Sequence, residues 1–405
     1  MSAANAVTRS QGSVLGAILL ISGCCIGAGM LGLPIVSALA GFTPTFVMFI
    51  LSWLFMTTTS LLLLEVNLHF RDEANIVTMA ERTLGLVGKA IAWGGFLFLF
   101  YCLMIAYISG SGELITDMVH SLTGLMLPAW IGSILCSALL SIALYMGTQA
   151  VDHLNRIFMV GLIAAYIALI FLAAPHVDMG LLKHTDWSTA IAVAPIMIIS
   201  FGFHNLVPSL TSYLNYDVKK LRLSLIIGSI IPLVVYLIWE YLILGIVPVY
   251  GEGGFEEALH EGYMISQILK AALGTSWISQ AVQYFAFFAL VTSFIGVALS
   301  FLDFLADGFK IKKNPRGKIL LCALVIIFPL IMSLIYPRLF LEALGYAGGI
   351  GAVLLFGILP ALMAWSGRYQ KKLWTTRIVP GGYVTLILII IISCSIIGLQ
   401  ISQDF

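Results

Sequence analysis

Long apolar runs, separated by short charged stretches, organise this chain of 405 residues. A helix needs roughly 20 apolar residues to cross the hydrocarbon core of a bilayer. Eleven stretches meet that requirement: 13–40, 43–66, 89–118, 126–147, 154–174, 188–213, 222–247, 277–305, 317–336, 339–365 and 380–400. Two pairs are split only by tight junctions, at Gly41–Thr43 and Pro337–Arg338. The pattern predicts an all-α polytopic membrane protein. Within the first run, Ala38-Leu39-Ala40 looks like a signal-peptidase site. The run is far longer than the ~7–15 residues of a signal h-region, so it is read as a retained first span.

Composition agrees. Hydrophobic residues make up 60% and charged residues 10% of the chain, too little charge to cover a soluble domain of this size. A net charge of +1 points to no nucleic-acid partner. Charge placement orients the chain. With the N-terminus in the cytoplasm, inside segments hold Arg9; Arg71, Arg82 and Lys89; Arg156; Lys219, Lys220 and Arg222; Lys310, Lys312, Lys313, Arg316 and Lys318; Arg368, Lys371, Lys372 and Arg377. Only Lys183, Lys270 and Arg338 fall outside, so 17 of 20 basic residues obey the positive-inside rule. Eleven spans then place the C-terminus outside. The six cysteines all lie in apolar stretches and are expected as free thiols.

Two loops have texture. Thr78 and Glu81 fit a capping box, with Leu84-Gly85 as the end of a short surface helix. Residues 248–276 are long enough to form a lid over the outer face, or a solvated linker.

Two spans are hostile to a continuous helix. The first contains Gly23-Cys24-Cys25-Ile26-Gly27-Ala28-Gly29-Met30-Leu31-Gly32-Leu33-Pro34, and the sixth Ser200-Phe201-Gly202-Phe203-His204-Asn205-Leu206-Val207-Pro208-Ser209. Pro34 and Pro208 are 174 residues apart, which places the breaks in corresponding spans of two five-span halves. Unwound backbone at membrane depth survives only inside protein or beside a watery cavity. Paired breaks of this kind point to a transporter's binding site. Freed N–H groups at the second half-helix of span 1 suit a carboxylate, and freed carbonyls at the ends of the first half-helices suit an ammonium group or a cation. A zwitterionic amino acid offers both. Glycine-mediated helix packing is the alternative use of such residues.

These residues resemble a family. Cys25-Ile26-Gly27-Ala28-Gly29-Met30-Leu31-Gly32-Leu33-Pro34, Phe201-Gly202-Phe203-His204 with Val207-Pro208-Ser209, Ala106-Tyr107-Ile108-Ser109-Gly110-Ser111-Gly112, and Leu237-Ile238-Trp239 with Leu244-Gly245 are similar to the signatures of the hydroxy and aromatic amino acid permeases, within the amino acid–polyamine–cation superfamily. The likeness runs over nearly the whole chain, and is nearest to tyrosine-carrying members, with tryptophan-carrying ones next. It implies a leucine-transporter (LeuT-type) fold of five-plus-five inverted repeats with broken helices 1 and 6, plus an eleventh helix. The parts would be a cytoplasmic tail at 1–12, a first repeat at 13–174, an extracytoplasmic loop at 175–187, a second repeat at 188–365, and a cytoplasmic loop with the eleventh helix at 366–405. It implies proton-coupled import of an aromatic L-amino acid across the bacterial inner membrane, without a cofactor. By analogy with that fold, Ala28 and Gly29 would supply N–H groups to the substrate carboxylate. Cys24, Cys25, Ser200 and Phe201 would line the ammonium end, with Gly27 and Gly202 in the unwound backbone. Tyr107 and Phe203 would flank or gate the side chain.

Charges inside a bilayer cost roughly 2.5–3.5 kcal/mol each on insertion scales, so each invites a role. His204 in the second break either takes and releases a proton or holds the unwound loop by hydrogen bonds. Glu240 in span 7 is a proton carrier or a hydrogen-bonded structural acid. Glu113 and Asp117 read as a solvated vestibule, while Glu65, Asp303 and Asp307 sit at cytoplasmic ends near bases. In sodium-coupled members of the fold, hydroxyls at the positions of Thr292 and Ser293 join span-1 carbonyls, here Gly23 and Ile26, around the ion. Some proton-coupled relatives place a span-5 lysine there, which this chain lacks. Proton coupling is favoured, with sodium the alternative. A membrane enzyme is disfavoured: His260-Glu261 has no second His at helical spacing, and no phosphate loop or nucleophile elbow is present. A channel, which would give non-saturable flux, is the remaining rival.

Overall fold

The structure is a computed structural model describing residues 12–70, 74–273, 277–336, 338–373 and 377–402. The expected N-terminal tail (all but Gly12) and Pro337 of the tight 337–338 junction lie outside the described residues. Among the described residues, all regular structure is helical. Ten helices are long and apolar enough to span a membrane, and the bent pair Val14–Cys25 and Gly29–Ser37 supplies an eleventh span. The chain is a polytopic α-helical membrane protein. Spans 2 to 5 occupy Phe42–His69, the long helix Ile76–Thr123, Ala129–Met146 and Thr148–Ala173. Span 6 is Ala190–Tyr213, and spans 7 to 9 are Val218–Leu244, Trp277–Gly308 and Pro315–Ile335. Span 10 is Phe340–Gln370 and span 11 Gly382–Ser402.

Burial separates core from periphery. The most apolar windows of spans 10, 6 and 3 are 78%, 67% and 61% buried, against 17% for span 5 and 28% for span 11. Span 5 exposes Ile157, Val160, Ile163, Ile167 and Phe171 at three- and four-residue spacing, a stripe suited to acyl chains. Span 10 is wound as a π-helix over Ala347–Ile358. Its small residues let it press on span 6, where a Cβ on Gly348 would strike the Pro195 carbonyl.

Two local expectations need correcting. The helix before span 3 is capped by Asn75, not Thr78: Asn75 is extended and its side chain accepts the Thr78 N–H at 2.9 Å. Asparagine three residues ahead reaches that first-turn donor, so Thr78 is already helical. The short helix does stop at Gly85, whose φ of 77° breaks the ladder before span 3 continues. The outer loop 248–276 is not a plain linker. It folds into Phe255–Glu261 and Ile265–Leu273, and both helices pack on the second half of span 1, Gly29–Ser37.

The ends of spans 2 and 10 are fastened by a buried ion pair. Arg368 Nε and Nη2 donate to the two oxygens of Glu65 at 2.6 and 2.7 Å, with both side chains sealed from solvent. Glu65 also accepts the Ile378 N–H at 2.7 Å, which ties in the segment leading to span 11. Ser366 donates to the Thr83 carbonyl at 2.6 Å. Asp303 is paired with Lys313 at 2.7 Å.

Candidate functional site at the two helix breaks

The first half of span 1 stops at Cys25, because Ile26 turns extended (φ −74°, ψ 99°). The second half, expected to face outside, starts at Gly29, bent by 54°. Gly27 is required by close approach: a Cβ there would strike the Ser293 hydroxyl of span 8. Ala28 N–H donates to that same hydroxyl at 2.9 Å. The N–H groups of Gly27 and Gly29 have no partner among the described residues. In span 6 the first half-helix, Ala194–Ser200, gives way to unwound Phe201–Phe203 and a 3₁₀ turn at His204–Leu206. The second half, Val207–Tyr213, begins with Pro208 in its first turn, where a missing N–H costs nothing.

Tyr236 of span 7 joins the two breaks. Its hydroxyl lies 2.6 Å from the Cys25 carbonyl and 2.8 Å from the Ser200 carbonyl, the last residues of the two first half-helices. One turn along, Trp239 Nε1 donates to Met30 O at 2.9 Å. A Cβ on Gly29 would come within 2.9 Å of Ser200 Oγ, so the breaks are in direct contact. Cys24 Sγ lies 3.9 Å from Gly202 O and within electrostatic reach of Tyr107 and Tyr236. Cys24 has a more open surface than Cys25, which is buried. The arrangement sets carbonyl ends of two half-helices beside unpaired N–H groups of a third, which is complementary to a small dipolar solute.

The structure thus gathers Cys24, Cys25, Gly27, Ala28, Gly29, Ser200, Phe201, Gly202 and Ser293 in one place. Ala28 differs from its expected role, since Ser293 already takes its N–H. Tyr107 flanks this group and packs edge-on against Phe294 at 6.2 Å. Phe203 is fully buried against His204. His204 points away: its Nε2 is 2.9 Å from Thr59 Oγ1 and its ring stacks on Phe356 at 4.7 Å. Glu240 lies along the outer half of span 1, where Ser37 Oγ donates to it at 2.8 Å. Thr292 donates to carbonyls of its own helix, Phe288 at 2.7 Å and Ala289 at 3.2 Å. Gly23 faces Met159 of span 5, and the Ile26 N–H closes the inner half-helix on Ser22 O. Two clefts of about 410 and 390 Å³ lie by the outer loop helices, and neither is lined by residues of the breaks.

The tryptophan/tyrosine permease family matches residues 10–400. The chain belongs to this family. It is 33% identical over 389 residues to a tyrosine-specific transport system of Haemophilus influenzae, covering 93% of this chain and 94% of the relative. It is 28% identical to a tryptophan-specific transport protein of the same organism, over 93% of both chains. It is likewise 28% identical to a low affinity tryptophan permease of Escherichia coli, over 94% and 93%. The permease is a transporter rather than an enzyme.

Tyr236, which joins the two breaks, escaped the motif reading, and Trp239 entered it only as part of a family signature. With Glu240 they stand at i, i+3 and i+4 on one helix face. Polar-tipped side chains sharing a face in mid-membrane are the signal that was there to find.

Proposed function

We propose that this permease imports an aromatic amino acid, tyrosine by preference, across the bacterial cytoplasmic membrane by proton symport. Substrate exchanges sides at the two breaks by alternating access. The carrying observation is the Tyr236 hydroxyl bridging Cys25 O and Ser200 O beside the unpaired Gly27 and Gly29 N–H groups. The substrate carboxylate would sit on the Gly27 and Gly29 N–H groups, with the ammonium group toward Cys24, Cys25, Ser200 and Gly202. Phe201, Tyr107 and Phe203 would bound the ring. The tyrosine preference follows the tyrosine-specific relative with 33% identity.

On this reading residues 13–174 and 188–365 are LeuT-type inverted repeats and the eleventh helix is peripheral, consistent with its 28% burial. The N-terminus is inside and the C-terminus outside, by the charge split. Proton coupling is favoured over sodium on the family resemblance; in span 8 the Ser293 hydroxyl already accepts the Ala28 N–H. One charge crossing about 100 mV supplies about 2.3 kcal/mol, roughly a fifty-fold gradient of a zwitterion.

Uptake of labelled tyrosine into vesicles tests this. Saturable uptake, competed by tryptophan and phenylalanine and abolished by a proton uncoupler, is expected. Non-saturable flux points to a channel, and uptake that demands sodium replaces the coupling ion.

A further inference from the structure

Glu240 is wholly buried one turn from the end of span 7. Its Oε2 accepts from Ser37 Oγ at 2.8 Å, and its Oε1 has no hydrogen-bond partner. Ser37 is the last residue of the outer half of span 1, the half-helix that begins at the substrate site. The adjacent Trp239 holds the start of that half-helix through Met30 O. Span 7 therefore grips the outer half of span 1 at both ends, once through an indole and once through an acid.

Among the described residues no cation is paired with that acid. The outer half of span 1, Gly29–Ser37, carries no titratable side chain. Span 2 brings Phe42 against Tyr241, and span 8 brings Phe285 against Trp239. The short turn Leu181–Lys183 also packs on span 7, and its Lys183 makes no ion pair with the acid. Other titratable groups nearby are engaged elsewhere. His184 lies on Leu39 O at 2.8 Å, Asp178 accepts from Gly180 N–H at 2.7 Å, and Tyr241 donates to Met179 Sδ. Tyr236 on the same face is committed to Cys25 and Ser200. A bare carboxylate with one hydroxyl donor in such surroundings carries a desolvation cost that no neighbour offsets. The closed arrangement tolerates the acid only as a neutral carboxyl, with the proton on the oxygen that Ser37 does not reach.

We propose that Glu240 is the residue that accepts a proton from the outer side, and that its neutralisation licenses the outer half of span 1 to close over bound substrate. A proton from outside water joins the Glu240 carboxylate, giving a neutral acid that accepts from Ser37. Release of that proton to the inner side, once the substrate site has turned inward, regenerates the carboxylate, which needs hydration and so favours a displaced half-helix. The inference rests on the proton-symport reading and names the group through which it acts.

The test is tyrosine uptake into vesicles as the outside pH is raised, with the full-length chain. Wild-type uptake is expected to fall as Glu240 loses its proton. Glu240→Gln, fixed in the neutral form, is expected to retain tyrosine exchange, lose the dependence on outside pH, and no longer accumulate tyrosine against a gradient. Ser37→Ala removes the donor that favours the charged form, so its profile is expected to move toward alkaline pH. This second variant leaves the acid in place and serves where the first does not fold. A Glu240→Gln profile that matches wild type overturns the assignment, as does a Ser37→Ala profile that does not move. If wild-type uptake ignores the proton gradient, the symport reading falls first. If wild-type uptake follows it while both variants are unchanged, only Glu240 falls.

Discussion

Glu65 and Glu240 are both sealed from solvent, and their surroundings differ. Glu65 meets a bidentate guanidinium and a backbone N–H, so its charge is matched on every side. Glu240 meets one hydroxyl. The first site ties span 2, span 10 and the approach to span 11 into a unit. The second lies between span 7 and a half-helix that begins at an unwound break. Full satisfaction suits a joint that holds still, and partial satisfaction suits a joint with two states. On the alternating-access reading proposed above, the difference would separate scaffold from moving part.

One substitution applied at both sites sharpens this most. Glu65→Gln leaves Arg368 buried without its counter-charge, and a loss of about 3–5 kcal/mol is expected in detergent-solubilised protein unfolded by heat or denaturant. Glu240→Gln replaces a neutral acid by a neutral amide and is expected to cost about 1 kcal/mol or less. Equal losses at the two sites would erase the distinction. Replacing the pair together, Glu65→Leu with Arg368→Met, is expected to recover most of the stability, because removing both charges leaves neither unmatched.

Effects at the breaks come next. Tyr236→Phe strips the shared donor from Cys25 O and Ser200 O, and about 1–3 kcal/mol is expected. It should show mainly as weaker tyrosine binding, measured by calorimetry or by competition. Gly27→Ala drives a methyl into the Ser293 hydroxyl and displaces it from Ala28. Overpacking of this kind costs about 1–3 kcal/mol, and uptake should fall more than folded yield.

The smallest effect belongs to Asp217, the cap of span 7. Its carboxyl lies below the ordinary carboxylate range, chiefly through the Lys220 backbone N–H. A lowered value means that its contribution is fully present above the unfolded-state pKa. It fades as pH falls through the folded-state value. Asp217→Ala should therefore lower stability slightly at neutral pH and make no difference in strong acid, checked by unfolding midpoints across pH.

Much of this was legible in the chain. Apolar run length gave the spans, since lipid demands a full helix with its backbone paired. The first break was legible because Gly27 and Gly29 stand just where the helix stops. What stayed hidden depends on contacts far apart in sequence. Ser293 reaching Ala28 is set by a packing distance between spans 1 and 8, and Tyr236 bridging two carbonyls is set by how span 7 leans. Glu65 was expected to snorkel or pair, but nothing in the sequence singled out Arg368 among the nearby bases. Thr78 was misjudged because a second capping residue, Asn75, stands three residues ahead and starts the helix first.

Cys24 has a practical consequence. Of the two exposed thiols, Cys394 belongs to the peripheral span 11, whereas Cys24 sits beside Gly202. An alkylating reagent thus finds a natural handle next to the place where cargo would rest. Its attachment rate in the presence and absence of tyrosine makes the unaltered protein its own gauge of occupancy.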